Sequence, residues 1–373
     1  MNLQTRLVIG FLIATCLTGA VATVVGITTI NRNTLDEVQR KVQQDIHTAE
    51  LIYDYNLERL KYQLEFISLR SPLEDAILRN DPSPLAGLET LIRPGTARTG
   101  DHSSLDMLTL VNAHGRVIYR VANPGAKGDN LMWDPVVRKC LFEKKPQSSA
   151  VIMPLNTVED QNPRLTARVV IPIRKTPQSV EVEDKVLIDG MVLRAAQPVF
   201  GPDGALLGAL VGGILLNRDY DIVDTVKETV YQDEKYRGRD IGFATIFLGP
   251  VRISTNVRDV NNERAVGTIV SREVYNRVLV QGRDWVGRAF VVNDWYISAY
   301  APLYGIDGRI IGMFYTGILE AKYHDLSVNT IWLFMGITFL GMVIAFFISF
   351  WMGHSIIRRI RILKQATQAI SAG

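Results

Sequence analysis

Residues 195–215 read AAQPVFGPDGALLGALVGGIL, and residues 299–319 read AYAPLYGIDGRIIGMFYTGIL. The second stretch follows the first by 104 positions without a gap (195 to 299). Pro198 matches Pro302, Gly201 matches Gly305, and Asp203 and Gly204 match Asp307 and Gly308. Gly208 matches Gly312, and Gly213, Ile214 and Leu215 match Gly317, Ile318 and Leu319. A repeat of this kind marks two copies of one supersecondary unit. In each copy alternating apolar residues enter a Gly-x-Asp-Gly turn, and a second apolar run leaves it. Asp supplies local hydrogen bonds and Gly the positive φ of such a turn, so each copy reads as a β-hairpin. Gly208 and Gly312 fall inside strands, which points to a bulge or a close backbone approach. A phosphate loop is disfavoured, because no Gly-Lys-Ser/Thr follows and the glycines lie on strands.

A further hairpin precedes each copy. Residues 108–112 and 116–121 flank a turn at Ala113, His114 and Gly115; residues 243–248 and 251–255 flank Gly249 and Pro250. Helical patterning lies between the hairpins, at residues 135–143 and 271–280. Each module thus reads as hairpin, helix and returning strands, an antiparallel sheet flanked by helices. The fold class expected is α+β with two tandem modules.

Two uncharged apolar stretches bracket the modules, residues 7–30 and 331–352. Each exceeds the roughly 20 residues that a helix needs to cross about 30 Å of hydrocarbon. Arg358, Arg359, Arg361 and Lys364 follow the second stretch, and Arg6 precedes the first. Basic residues beside a span favour the cytoplasmic side, so both termini are expected there and residues 31–330 outside. The first stretch is longer than the apolar region of a cleaved signal peptide, which favours a retained span over that alternative. Trp332 and Tyr323 suit the membrane interface.

Between span and modules, Leu35, Val38, Val42, Ile46, Ala49, Tyr53, Asn56, Leu60, Gln63 and Ile67 recur at spacings of three and four. That is one stripe of a long helix over residues 31–70, stopped at Ser71 and Pro72. Asn56 and Gln63 break the stripe, so it is expected to pack partly on its own domain and partly on a second subunit, in a homodimer.

The net charge of +3 over 373 residues is small, which argues against a nucleic-acid partner. Cys16 and Cys140 are the only cysteines, and one lies in a span, so no disulfide framework is expected. The five histidines, His47, His102, His114, His324 and His354, are scattered. No HExxH, GxSxG or Walker motif is present. No catalytic residue, metal site or cofactor is therefore expected in this chain.

The hairpin LVNAHGRVIYR at residues 110–120, Asn123, Pro124, Gly128 and Asp129 after it, LRAAQP at 193–198 and the two Gly-x-Asp-Gly hairpins carry a likeness. As a set they resemble the double Cache family of extracytoplasmic sensor domains, found in bacterial sensor histidine kinases, chemoreceptors and cyclases. The resemblance covers residues 31–328. It implies two PAS-like Cache modules on the long helix, a membrane-distal one at 71–222 and a membrane-proximal one at 223–328. Residues 353–373 resemble the first helix of a HAMP signal converter through Ile356, Ile360, Leu363, Ala366 and Ile370, with Gly373 at its usual end. HAMP helices often carry a proline after the membrane exit; Arg359 stands there instead.

A sensor needs a concave site with a few placed polar groups. The resemblance implies that the distal module carries it, with Tyr119, Arg120, Trp133, Arg168 and Arg194 as ligand-binding candidates. Arginine holds a carboxylate or phosphate through two parallel hydrogen bonds, and Trp133 is a candidate lid. Against this, Arg120 and Arg194 read equally as charges on the sheet's outer face, and Trp133 as core. The proximal module holds Trp285, Trp295, Tyr296, Tyr300, Tyr304 and Tyr315. Trp295 and Tyr300 are candidates for a second pocket, although strand aromatics are more often core.

The ligand expected is a small anionic organic molecule, a carboxylate or amino acid; lipid is the other partner. Three functions compete: the sensing half of a histidine kinase in a bacterial inner membrane, a methyl-accepting chemotaxis receptor, or a membrane-anchored solute-binding protein without output. A phosphorylatable helix or a long coiled coil downstream would separate the first two.

Overall fold

The structure, a computed structural model, describes residues 3–70, 72–81, 83–85, 87–92, 105–292 and 294–371. A single helix, α1 (Leu3–Arg70), joins the apolar stretch and the stalk that the sequence divides at residue 31. No proline occurs before Pro72, so nothing interrupts the backbone ladder. A short helix, α2 (Leu73–Arg79), follows and ends on Asn80 in the left-handed conformation, φ 52°.

The first module contains β1 (Met107–Asn112), β2 (Val117–Arg120), α3 (Pro135–Glu143), β3 (Gln147–Pro154), α4 (Leu155–Gln161) and α5 (Thr166–Val169). A two-residue ladder, β4 (Ile171–Pro172) with β5 (Val186–Leu187), leads into β6 (Asp189–Phe200) and β7 (Leu206–Leu215). The second module runs through α6 (Asp221–Tyr231), the small ladder β8 (Lys235–Tyr236) and β9 (Arg239–Asp240), β10 (Gly242–Leu248) and β11 (Val251–Thr255). It continues with α7 (Arg272–Val274), a wide π-type turn at Tyr275–Val280, β12 (Trp285–Val291), β13 (Asp294–Tyr304) and β14 (Ile310–Leu319). The last helix is α8 (Glu320–Ser371).

The repeat is visible in the topology. One five-stranded antiparallel sheet has the order β2-β1-β7-β6-β3, the other β11-β10-β14-β13-β12. Register repeats as well: Val192 pairs with Leu215 and Tyr296 with Leu319, and both hairpins slip register at the matching place, Val199/Phe200 and Leu303/Tyr304. The in-strand glycines have a common cause. A β-carbon at Gly208 would collide with Val111 O on the neighbouring strand, and one at Gly312 with Phe247 O.

Residues 39–319 form one compact unit. Its stalk segment buries Val42, Ile46, Ala49, Tyr53, Leu60, Leu64 and Ile67, so this part of the stripe is a packing face. Both sheets pack on it. Leu64 fits over Gly212 of β7, where a β-carbon would lie 2.7 Å from Leu64 Cδ2. Further along, Tyr53 meets Phe314 edge-on at 5.1 Å, and Thr316 Oγ1 donates to Val42 O at 3.3 Å. The opposite face of the first sheet, with Met107, Val111, Val192, Val211 and Leu215, packs against α3, α4 and α5. The modules meet along a polar seam: Arg174 N donates to Gly267 O at 2.8 Å and Arg174 Nη1 to Asp259 Oδ2 at 3.0 Å. Gly267, at φ 87°, admits Pro172 O so closely that a β-carbon would collide with it.

The other unit contains residues 1–38 and 320–373. It holds the apolar parts of α1 and α8, both long and apolar enough to cross a membrane. Gly26 faces the Phe334 ring, 2.6 Å from where a β-carbon would stand, a small-residue approach of the kind that joins helices in lipid. The side chains of Ile356, Ile360, Leu363, Ala366 and Ile370, and Gly373, lie outside the described residues.

Candidate ligand-binding site

Two of the candidate arginines share a face of the first sheet. Arg120 on β2 stands opposite Thr109 on β1, and Arg194 on β6 stands between Ser149 on β3 and Gly213 on β7. Strand alternation puts Thr109 with Met107 and Val111, and Arg194 with Val192 and Ala196, on the side that faces α3 and α4. Both arginines are buried, Arg120 1% exposed and Arg194 0%. The outer-face alternative is excluded by that burial.

A buried guanidinium must be paired and hydrogen-bonded. Arg120 meets Asp129 through both oxygens at 2.7 and 2.6 Å, and donates to Ala126 O at 2.7 Å. The Gln161 amide joins the network: with its nitrogen on Thr109 Oγ1 at 2.7 Å, its oxygen accepts from Arg120 Nε at 3.1 Å and Nη2 at 3.3 Å. The hydrogen bond from Arg120 holds the Asp129 carboxyl below its ordinary pKa.

Arg194 is arranged differently. Its Nε donates to Asp134 Oδ2 at 2.9 Å, and Asp134 is itself fully buried. Asp134 caps α3, its Oδ1 accepting from Val136 N at 2.9 Å and Val137 N at 3.3 Å, with Pro135 at the first helical position. One carboxylate thus fixes both a helix start and an arginine. The two terminal nitrogens of Arg194 are buried and have no hydrogen-bond partner among the described residues. Burial lowers the Arg194 pKa, Asp134 opposes this, and Arg120 adds to it, so the two guanidinium groups feel one another. Arginine stays charged even so. What remains is a fork of N–H donors on a rigid strand, suited to a planar carboxylate.

The other candidates lie elsewhere. Trp133, beside Asp134, is 41% exposed, which removes the core reading. Tyr119 pairs with Leu110 and so points to the sheet face opposite Arg120. Arg168 is a clasp at the sheet's end. Its Nε donates to Asn217 O at 3.1 Å, Nη2 to Leu215 O at 2.5 Å, and its terminal nitrogens meet Asp106 and Asp219 at 3.3 Å. Those bonds engage all three nitrogens. In the second module Trp295 and Tyr300 point to opposite faces of β13, being five residues apart on a strand without a bulge between them. Trp295 is on the outer side with Arg288 4.0 Å above its ring, while Tyr300 is buried 4.9 Å from Tyr315 and 5.6 Å from Trp285. They do not line one pocket.

Thr109, Asp129, Asp134 and Gln161 were absent from the candidates. Asp134 followed by Pro135 is a readable helix start. Gln161 gives no such signal, since its partners Thr109 and Arg120 are distant in sequence. A cavity of about 340 Å³ opens on the loop after Arg120, lined by Glu89, Ile92, Val121, Ala122, Pro124 and Arg164. Among the described residues no group of three or more His, Cys, Asp or Glu side chains is placed to hold a metal.

The comparisons with known proteins agree with the second module. Residues 214–330 match the family described as single Cache domain 3. No curated protein matches the chain. Among solved structures, the periplasmic domain of Vibrio cholerae LuxQ is similar at 13% identity and TM-score 0.39, over 74% of this chain and 99% of that one. The sensor domain of the V. cholerae histidine kinase DctB gives 13%, TM-score 0.40, 76% and 98%. The ligand-binding domain of the Pseudomonas aeruginosa amino acid chemoreceptor PctC, in complex with GABA, gives 13%, TM-score 0.33, 77% and 99%. Residues 214–330, which build the second sheet and the segments around it, are thus similar to a single Cache domain, and the first sheet repeats the strand order of the second.

Proposed function

We propose that this chain is the sensing part of a transmembrane receptor whose distal module binds a small organic anion, a carboxylate or amino acid. The observation that carries the reading is Arg194: fully buried, fixed by Asp134, with both terminal nitrogens unpartnered. A ligand carboxylate on that fork would complete its hydrogen bonding. Arg120, held by Asp129 and Gln161, adds positive potential, and half-exposed Trp133, next to Asp134 in the chain, would close over the ligand. The chemistry is recognition without catalysis, followed by movement of α8 relative to α1 and transmission through HAMP to a histidine kinase. In this reading the modules lie outside the inner membrane and both termini inside, and a second copy covers the remaining apolar side of the stalk.

The ligand is found by thermal-shift screening of the chain in nanodiscs against organic acids and amino acids. A hit among the anions supports the reading. Stabilisation by cations or neutral sugars alone would contradict it.

A further inference from the structure

Among the described residues four acidic side chains are buried: Asp45, Asp106, Asp134 and Asp219. Three of them are held as carboxylates by an arginine and a backbone N–H together. Asp134 has Arg194 and Val136 N, Asp106 has Arg168 and Leu215 N, and Asp219 has Arg168 and Asp221 N. Asp45 has neither. It stands within α1, where backbone N–H groups bond along the helix. One of its oxygens meets Lys41 Nζ at 3.4 Å, on a lysine side chain that is 42% exposed, and the other has no hydrogen-bond partner. An ionised carboxyl in such a place is costly, and a protonated one much less so.

The carboxyl sits where α1 is seated on the second sheet. Val42, Asp45 and Ala49 follow at spacings of three and four, and all three are buried, so Asp45 belongs to the packing face of the helix. Val42 O, one turn before it, accepts from Thr316 Oγ1 on β14, the strand that α8 follows at Glu320. Tyr231, the last residue of α6, closes the same place. Its ring lies against Gly242 of β10, with Lys41 Nζ 5.7 Å from the ring centre, and its hydroxyl faces Asp45. That hydroxyl is also buried without a hydrogen-bond partner. The titratable groups facing Asp45 are therefore Lys41 of its own helix and Tyr231 of α6, with Tyr315 of β14 beyond Tyr231. Burial pushes both phenols up, Tyr315 to about 12, so neither is charged near neutral pH. Burial also raises the Asp45 carboxyl above its ordinary value, and Lys41 and Tyr231 oppose this.

We infer that Asp45 is a proton-binding site through which the chain responds to acidification of the solution around its modules, independently of any organic ligand. At neutral pH the buried charge loosens the seat of α1 on β14. On acidification one proton binds the carboxylate, the charge disappears and the contact tightens. The tightening is complete below the unfolded value near 4 and fades as pH rises through the folded value. The inference does not depend on the Arg194 site.

The test is hydrogen–deuterium exchange of the full chain in nanodiscs from pH 8 to pH 5, with rates corrected for the intrinsic pH dependence of amide exchange. In the parent, peptides from residues 40–53 and 310–319 should exchange several-fold more slowly at the acid end. Asp45→Asn, neutral like the protonated carboxyl, should be slow throughout and lose the response. Lys41→Met and Tyr231→Phe each remove a group that favours the carboxylate, so the midpoint should move to higher pH in both. Asp54→Asn, at an exposed acid of the same helix, should leave the response as in the parent. Exchange in the parent that does not change with pH overturns the inference. So does a response that survives Asp45→Asn or disappears with Asp54→Asn. If Tyr231→Phe does not fold, Lys41→Met decides the direction, and a midpoint that moves down in it contradicts the assignment.

Discussion

Arg194 and Asp134 meet at 2.9 Å with both side chains fully buried, one on the middle of β6 and the other at the start of α3. The contact ties the sheet to the helix that covers it, and it leaves the far end of the guanidinium facing inward with donors to spare. Under the proposed function, structure and recognition would therefore rest on one ion pair.

Asp134→Asn keeps a side chain that can cap α3 but removes the charge opposite Arg194. Breaking a buried pair from one side costs about 3–5 kcal/mol. The double variant Asp134→Asn with Arg194→Met should recover much of that loss. Thermal unfolding of Asp134→Asn, Arg194→Met and the double variant checks this, and a double-variant loss equal to the sum of the single losses would show that the pair carries no coupling.

Gly208→Ala and Gly312→Ala each drive a methyl group into the carbonyl of a neighbouring strand, Val111 O or Phe247 O. Each should cost about 1–3 kcal/mol. The effects should add, since the two positions lie in separate sheets. Urea unfolding of both single variants and the double variant measures this.

The two hairpins could be read from the sequence because positive-φ residues are few and specific. Gly204 and Gly308, both at φ near 75°, stand where the Asp-Gly pairs mark the turns. The stalk stripe was equally legible, because a helix exposes its period over many turns. The site was not. Whether Arg194 is buried depends on α3 lying across β6, a long-range contact that no local pattern encodes. The opposite facing of Trp295 and Tyr300 was legible in principle, since an odd spacing on a strand always separates faces.

Asp45 on the stalk is 4% exposed, with Lys41 Nζ 3.4 Å from one oxygen and no partner for the other. Burial raises its pKa, and Lys41 opposes this. The folded state therefore holds the Asp45 proton more tightly than the unfolded chain. Its contribution to stability is most favourable below the unfolded value near 4 and declines as pH rises toward the folded value. Asp45→Asn should stabilise the protein at neutral pH and flatten this decline. Melting temperatures from pH 4 to 8 test the sign; a variant less stable than the parent at pH 7 would refute it.

A second stalk stripe is exposed: Leu51, Tyr55, Tyr62, Phe66 and Leu69, at heptad-like spacing. Covering it with a second copy is the proposed dimer contact. Tyr62→Glu with Phe66→Glu should shift sedimentation of the detergent-solubilised chain toward monomer by about tenfold or more in Kd, with little change in melting temperature. An unchanged dimer would place the interface elsewhere.

The most direct measurement is calorimetric titration of the screened anion into the parent chain, Arg194→Met and Arg168→Met. Losing a charge-assisted hydrogen bond costs about 1.5–3 kcal/mol, so Arg194→Met should weaken binding roughly 10- to 150-fold. Arg168→Met, which breaks the clasp to Asp106, Asp219 and the carbonyls of Leu215 and Asn217, should lower stability and leave affinity near that of the parent. Binding by Arg194→Met as tight as the parent would contradict the account.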